Sequence, residues 1–234
     1  MLLRQSKEKI LLGAATESEI KGVSRRNFLG YLGGASALLI TAAACKKDDN
    51  NTNTGVDLGS GDVGILNYAY ALEQLEAAFY TQVILTPYSG ISAAESALLT
   101  DIRDHEIAHR EFFKAALAAS AIPALEVDFT SINFSSRDSV LATAKAFEDL
   151  GVTAYNGAGK LIVSADYLAL AGKIVSVEAR HAAYIRDIIS NGSFADNTAV
   201  DPNGLDLSRT PAQVLAIADT YIKTAINASN LPTN

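Results

Sequence analysis

A chain of 234 residues with 49% hydrophobic and 19% charged residues is long and apolar enough to bury a real core, in one or two domains. The formal net charge is −7; residues 1–44 hold six Lys/Arg and three Glu and so carry +3, leaving −10 on the remainder. That acidity argues against nucleic acid as a partner, because phosphate binding needs a basic face, and the single cysteine, Cys45, excludes an intramolecular disulfide.

In chain order, SRRNFLG (24–30) places paired arginines just before an apolar stretch, 28–44, rich in Gly, Ala and Leu and ending in TAAAC. The stretch is too short and too weakly apolar for a membrane span. The pattern resembles a twin-arginine export signal followed by a lipobox, with Ala42 where leucine is usual. The resemblance implies that residues 1–44 are a signal peptide and that Cys45 is lipidated. A short anchor helix that stays attached is the alternative. It also implies a bacterial cell-envelope location, on the periplasmic or outer-membrane face, with the membrane touched only through the lipid. Twin-arginine systems carry folded proteins, often with cofactors loaded. CKKDDNNTNTG follows, too polar to bury, so residues 45–61 are expected to be a flexible tether.

Four long helical stretches come next. Residues 63–85 carry Ile65, Ala69, Leu72, Phe79 and Val83 at helical spacing, and TPYSG breaks them. Residues 91–120 form the second, with Ser92 as N-cap and Glu95 three later. An irregular link, 121–138, has an extended piece near 125–134. Residues 139–158 form the third helix and 165–190 the fourth, closed by Asn191 and Gly192. After a loop rich in Asn, Asp and Gly, a shorter peripheral helix, 210–226, starts with a Thr cap and Pro at its first position. The expected fold class is therefore all-α: a four-helix bundle over 62–192, then a C-terminal loop and short helix over 193–234. The link of eighteen residues reaches about 60 Å when extended, more than the roughly 45 Å of a thirty-residue helix, so one long crossover is feasible.

The polar residues inside the apolar faces carry the chemistry. RDHEIAHREFF holds Glu106 and His109, three apart and so on one helical face. VEARHAA repeats the frame with Glu178 and His181. The other two helices each offer a carboxylate seven residues before a tyrosine: Glu73 before Tyr80, and Glu148 before Tyr155. The midpoint between Glu73 and Glu106 falls in TPYSG, and that between Glu148 and Glu178 falls at Val163, in the turn GKLIVS. Residues equally far from a hairpin turn lie level, so each carboxylate pair should meet across its hairpin. Glu76 is the alternative to Glu73; the repeat favours Glu73, because Glu148 has Gly151 at plus three. His105 points about 100° away from Glu106, toward the surface or a ligand's outer edge. Arg110 and Arg180 pair with nearby acids or face solvent. Gly151, Gly157 and Gly159 are expected to loosen the third helix, and a bend there would enlarge the site.

One Glu from each of two helices and Glu-x-x-His from each of the other two resembles the ferritin-like superfamily. LNYAYALEQLEAAFY and FEDLGVTAYNGA resemble, more narrowly, a ferritin-like domain family that includes desiccation-related proteins. The resemblance implies metal ligands at Glu73, Glu106, His109, Glu148, Glu178 and His181, and two iron or manganese ions. It also implies hydrogen-bonding roles beside the metals for Tyr80 and Tyr155, either as core residues with a satisfied hydroxyl or in redox or proton chemistry. The substrate class so implied is a small oxidant or a metal ion: oxidation of Fe(II), or reduction of peroxide or oxygen. A non-catalytic binding or stress-protection module and a manganese-catalase-like activity are the alternatives.

Overall fold

The structure, a computed structural model, describes residues 55–233. The expected signal, Cys45 and the first part of the tether lie outside the described residues. Four long helices, α1 (Gly61–Leu85), α2 (Ala93–Leu117), α3 (Arg137–Gly159) and α4 (Ala165–Ile189), are followed by a short α5 (Pro211–Ala218). A two-residue strand β1 (Val56–Asp57) precedes α1 and pairs in parallel with β2 (Ile226–Asn227) near the C-terminus. The chain is all-α in class, with almost no sheet.

Hydroxyl side chains set most of the helix starts. Ser92 accepts from the Glu95 amide at 3.1 Å, as its spacing predicts. Ser136, Ser164 and Thr210 do the same for α3, α4 and α5, and Thr210 and Gln213 form a reciprocal capping box with Pro211 at the first position. These caps satisfy amides that an α-helix leaves without partners. They also move two boundaries from the expected ones: α2 begins after Ser92, and α3 begins two residues earlier than expected because Ser136 is its cap.

Helices α1 and α2 form one hairpin, α3 and α4 the other, and the two meet through α1 and α3. The long link runs along α1. Asn67 donates to the Ser120 and Leu58 carbonyls and accepts from the Ile122 amide, while Gln74 accepts from Leu125 at 2.9 Å. Further up, Phe129 and Phe134 each lie 6.0 Å from the Phe79 ring. The link thus climbs the length of α1, and the two hairpins are joined by one long crossover. Covered by α2, α3 and the crossover, α1 is buried almost all round from Gly64 to Tyr80, as a central helix must be.

Three expectations are corrected. The end of the tether is not free: Val56 donates to the Ala225 carbonyl at 2.8 Å, and Leu58 is fully buried. The C-terminal helix stops at Ala218 instead of reaching 226; Ile222 then bridges Val127 in antiparallel fashion, and residues 226–227 become β2. This edge pairing gives the link's extended piece a partner for its amides and carbonyls, which a continued helix would not. Finally, α3 runs unbroken through its glycines. Gly157 serves close approach: a Cβ there would fall 1.7 Å from the Arg209 carbonyl oxygen. One anchor had no sequence signal. The buried Arg186 of α4 binds Asp149 through two 2.7 Å bonds and also reaches Asp196 and Thr198, fixing the loop after α4.

Candidate metal centre

Each long helix sends at least one glutamate into the bundle interior. Glu73, Glu106, Glu148 and Glu178 are all 0% exposed. His181 is 5% exposed, and the His109 side chain is mostly buried. An α-helical rise puts residues three apart on one face, which is how α2 and α4 each deliver a carboxylate and an imidazole together.

These six side chains fall into two groups of four. Glu73, Glu106, His109 and Glu178 each place one oxygen or nitrogen within 4.8 Å of the others, and so do Glu106, Glu148, Glu178 and His181. Glu106 and Glu178 belong to both. The hairpins interlock here: His109 Nδ1 is 2.9 Å from Glu178, and His181 Nδ1 is 2.9 Å from Glu106.

The oxygens divide by role. Tyr80 donates to Glu148 Oε1 at 2.5 Å, and Tyr155 donates to Glu73 Oε1. Each tyrosine therefore serves the carboxylate of the opposite hairpin and ties up one of its oxygens. Glu73 Oε2, Glu148 Oε2, both oxygens of Glu106 and Glu178, and Nδ1 of both histidines have no hydrogen-bond partner. They approach one another at 2.9–3.5 Å without hydrogen-bond alignment. Buried polar atoms left this way cost about 1–3 kcal/mol each, more when charged. The arrangement suits metal binding: the terminal glutamates offer one free oxygen each, and the shared glutamates two. Oxygen and imidazole donors of this kind suit transition-metal ions.

The bundle that carries these residues belongs to a known family. The chain matches the ferritin-like domain family over residues 61–191. It is a member of the ferritin-like domain family. No curated protein matches the chain.

In this ferritin-like core the side chains balance their charges among themselves. Burial opposes the His109 cation, but Glu106, Glu178 and Glu73 push it up to about 12. Burial likewise opposes His181, which Glu106 and Glu148 raise to about 10. Burial would raise Glu106, yet its two histidine neighbours hold it at about 2. Burial raises Glu73 to about 7 against the pull of His109, and pushes Glu178 well above the usual carboxylate range, helped by Glu106. Protonated imidazoles therefore stand in for metal cations.

Two neighbours went beyond sequence reasoning. His105 Nδ1 lies 2.9 Å from His181 Nε2, with the rings parallel at 6°. Its helical angle indicated only that it points away from Glu106; the partner comes from α4. Glu76 is 4% exposed and turned inward, whereas spacing had offered it only as a substitute for Glu73. The i, i+3 relation to Glu73 was the available signal. Arg110 pairs with Glu111 and Arg180 with Ser176, both at the surface. Between α2 and α4 an open groove of about 1000 Å³ reaches the histidines, lined by Ile102, His105, His109, Arg180, His181 and Tyr184.

Proposed function

We propose that this ferritin-like protein holds a dinuclear iron or manganese centre on Glu73, Glu106, His109, Glu148, Glu178 and His181 and uses it for redox chemistry on Fe(II), peroxide or oxygen. The observation that carries the proposal is the pair of four-residue groups sharing Glu106 and Glu178. Four ionised carboxylates balance two divalent ions, so the loaded core would be neutral, with the ions taking the place of the protons. When bound, redox-active ions supply the electron steps. The protein's own residues would hold and orient them: Glu106 and Glu178 belong to both groups, and Tyr80 and Tyr155 fix the two terminal carboxylates through hydrogen bonds. The groove between α2 and α4 gives a small molecule a way to the imidazole side.

In this proposal the chain is exported by a twin-arginine signal and anchored to the bacterial envelope through lipid on Cys45. No helix among the described residues is long and apolar enough to cross a membrane. Fractionation of cells expressing the wild type and Cys45→Ala tests the anchor: the variant should leave the membrane fraction, and retention there would count against lipidation.

The decisive measurement is elemental analysis of the purified protein, followed by assays of Fe(II) oxidation and peroxide consumption. Two bound ions with turnover support the redox proposal. Two ions with neither activity favour a non-catalytic, stress-protective module, which the surface groove would then serve. Absence of transition metal from protein reconstituted with Fe(II) and Mn(II) sinks both.

A further inference from the structure

We propose, building on the dinuclear centre above, that Glu76 is a fifth carboxylate ligand of the metal pair, joining from the α1 side once ions are bound. The two hairpins repeat each other at the site: Glu73 matches Glu148, Tyr80 matches Tyr155, and the two Glu-x-x-His frames match. The repeat of acidic positions breaks three residues after the first glutamate, where Glu76 stands on α1 and Gly151 on α3.

Geometry makes this break a pairing. Glu73 meets Tyr155 and Tyr80 meets Glu148, so α1 and α3 run antiparallel at the centre. Glu76 and Gly151 then oppose each other midway between the two terminal glutamates. A Cβ at Gly151 would lie 3.3 Å from Glu76 Oε1 and 3.4 Å from Glu178 Oε2. The missing side chain is the space these carboxylates occupy, and Glu76 borders one of the shared ligands.

No side chain pairs with this carboxylate. Glu76 is 4% exposed and makes no hydrogen bond or ion pair among the described residues. Glu178, Glu106, Glu148 and Glu73 surround it with like charge, and the two imidazoles of the core sit against those four carboxylates instead. A buried carboxylate with no cation of its own is costly to ionise. Glu76 stands outside both four-residue groups, so its side chain must turn toward the ions as they load. It would arrive from the α1 and α3 side, whereas both imidazoles come from α2 and α4.

Mn(II) titration calorimetry on the full chain tests the proposal with two variants. Glu76→Gln keeps the shape and removes the charge; Glu76→Asp keeps the charge and shortens the reach. Wild type should take up two Mn(II), and both variants should bind at least one of them about ten-fold more weakly or worse. Circular dichroism of the metal-free variants should match wild type. Unchanged affinity in Glu76→Gln overturns the proposal and leaves the dinuclear centre standing. Affinity restored in Glu76→Asp overturns it too, because a field effect needs charge but not contact. Failure of the wild type to bind any Mn(II) or Fe(II) removes the dinuclear centre itself, and Glu76's role with it.

Discussion

Tyr80 on α1 and Glu148 on α3 are joined by a 2.5 Å hydrogen bond across the interior of the bundle, with the tyrosine donating. Replacing Tyr80 with Phe leaves a fully buried carboxylate oxygen without its donor. The expected cost to the metal-free protein is about 1–3 kcal/mol. Metal affinity should fall about 10–100-fold, because the freed carboxylate is no longer oriented. Denaturant melts and calorimetry read the two effects separately, and an unchanged pair of values would show that the bond orients nothing.

His105 makes a sharper comparison. At the surface its loss should matter little, typically within about 0.5 kcal/mol. Yet it contacts His181 Nε2 at 2.9 Å and so fixes which nitrogen faces the interior. His105→Ala is expected to leave the melting temperature nearly unchanged and to weaken metal binding about ten-fold or more. His105→Gln, which retains a hydrogen-bonding group, should recover part of the loss.

Acidity gives an independent handle. His109 and His181 hold their protons more tightly folded than unfolded, with values of about 12 and about 10 against an ordinary 6.5. Their contribution is complete below the unfolded value and is lost as pH rises through the folded ones. Glu73, raised to about 7 from 4.5, acts in the same direction. Glu106, held at about 2, acts oppositely: its contribution is present above 4.5 and disappears only as pH falls toward about 2. The metal-free protein should therefore lose melting temperature between about pH 6 and about pH 9. Metal uptake near neutrality should release protons, visible as a buffer-dependent binding enthalpy. A metal-free melting temperature that climbs over that interval would contradict the protonated-imidazole core.

Metal removal should lower the melting temperature, because ions bind only the folded arrangement. At free metal about a hundred times the dissociation constant the difference is about 2.7 kcal/mol. Glu106→Ala combined with Glu178→Ala removes both shared carboxylates and should abolish uptake and this stabilisation together. Coincident melts for loaded and stripped wild type would show that the carboxylates are not held for a cation.

Gly157→Ala probes the scaffold instead of the site. The added methyl would fall 1.7 Å from the Arg209 carbonyl oxygen, and that backbone is itself held by a 3.0 Å bond from the Arg209 amide to Thr153. The chain after α4 must move away from α3, with an expected loss of about 1–3 kcal/mol or more.

Much of the bundle was legible because it follows from periodicity. The four helices, the Ser92 cap and the level of the glutamates come from spacing and turn position, which act locally. The reciprocal Tyr80–Glu148 and Tyr155–Glu73 bonds were not legible: spacing placed each tyrosine on its glutamate's face but gave no reason for the bond to cross between hairpins. The inward turn of Glu76 depends on an absence seventy-five residues away, at Gly151, and the partner of His105 sits on another helix. The true end of α5 depends on Val127 offering Ile222 an extended edge. Such long-range pairings leave no local pattern to read.

The pairing of Val56 with Ile226 has a temporal consequence. The strand that precedes the first helix finds its partner only after the whole helical bundle has been made. The domain therefore closes late, since contacts far apart in sequence form late. Until residues 225–227 are in place, the Val56 and Leu58 amides lack their carbonyls and the approach to the first helix stays unpinned.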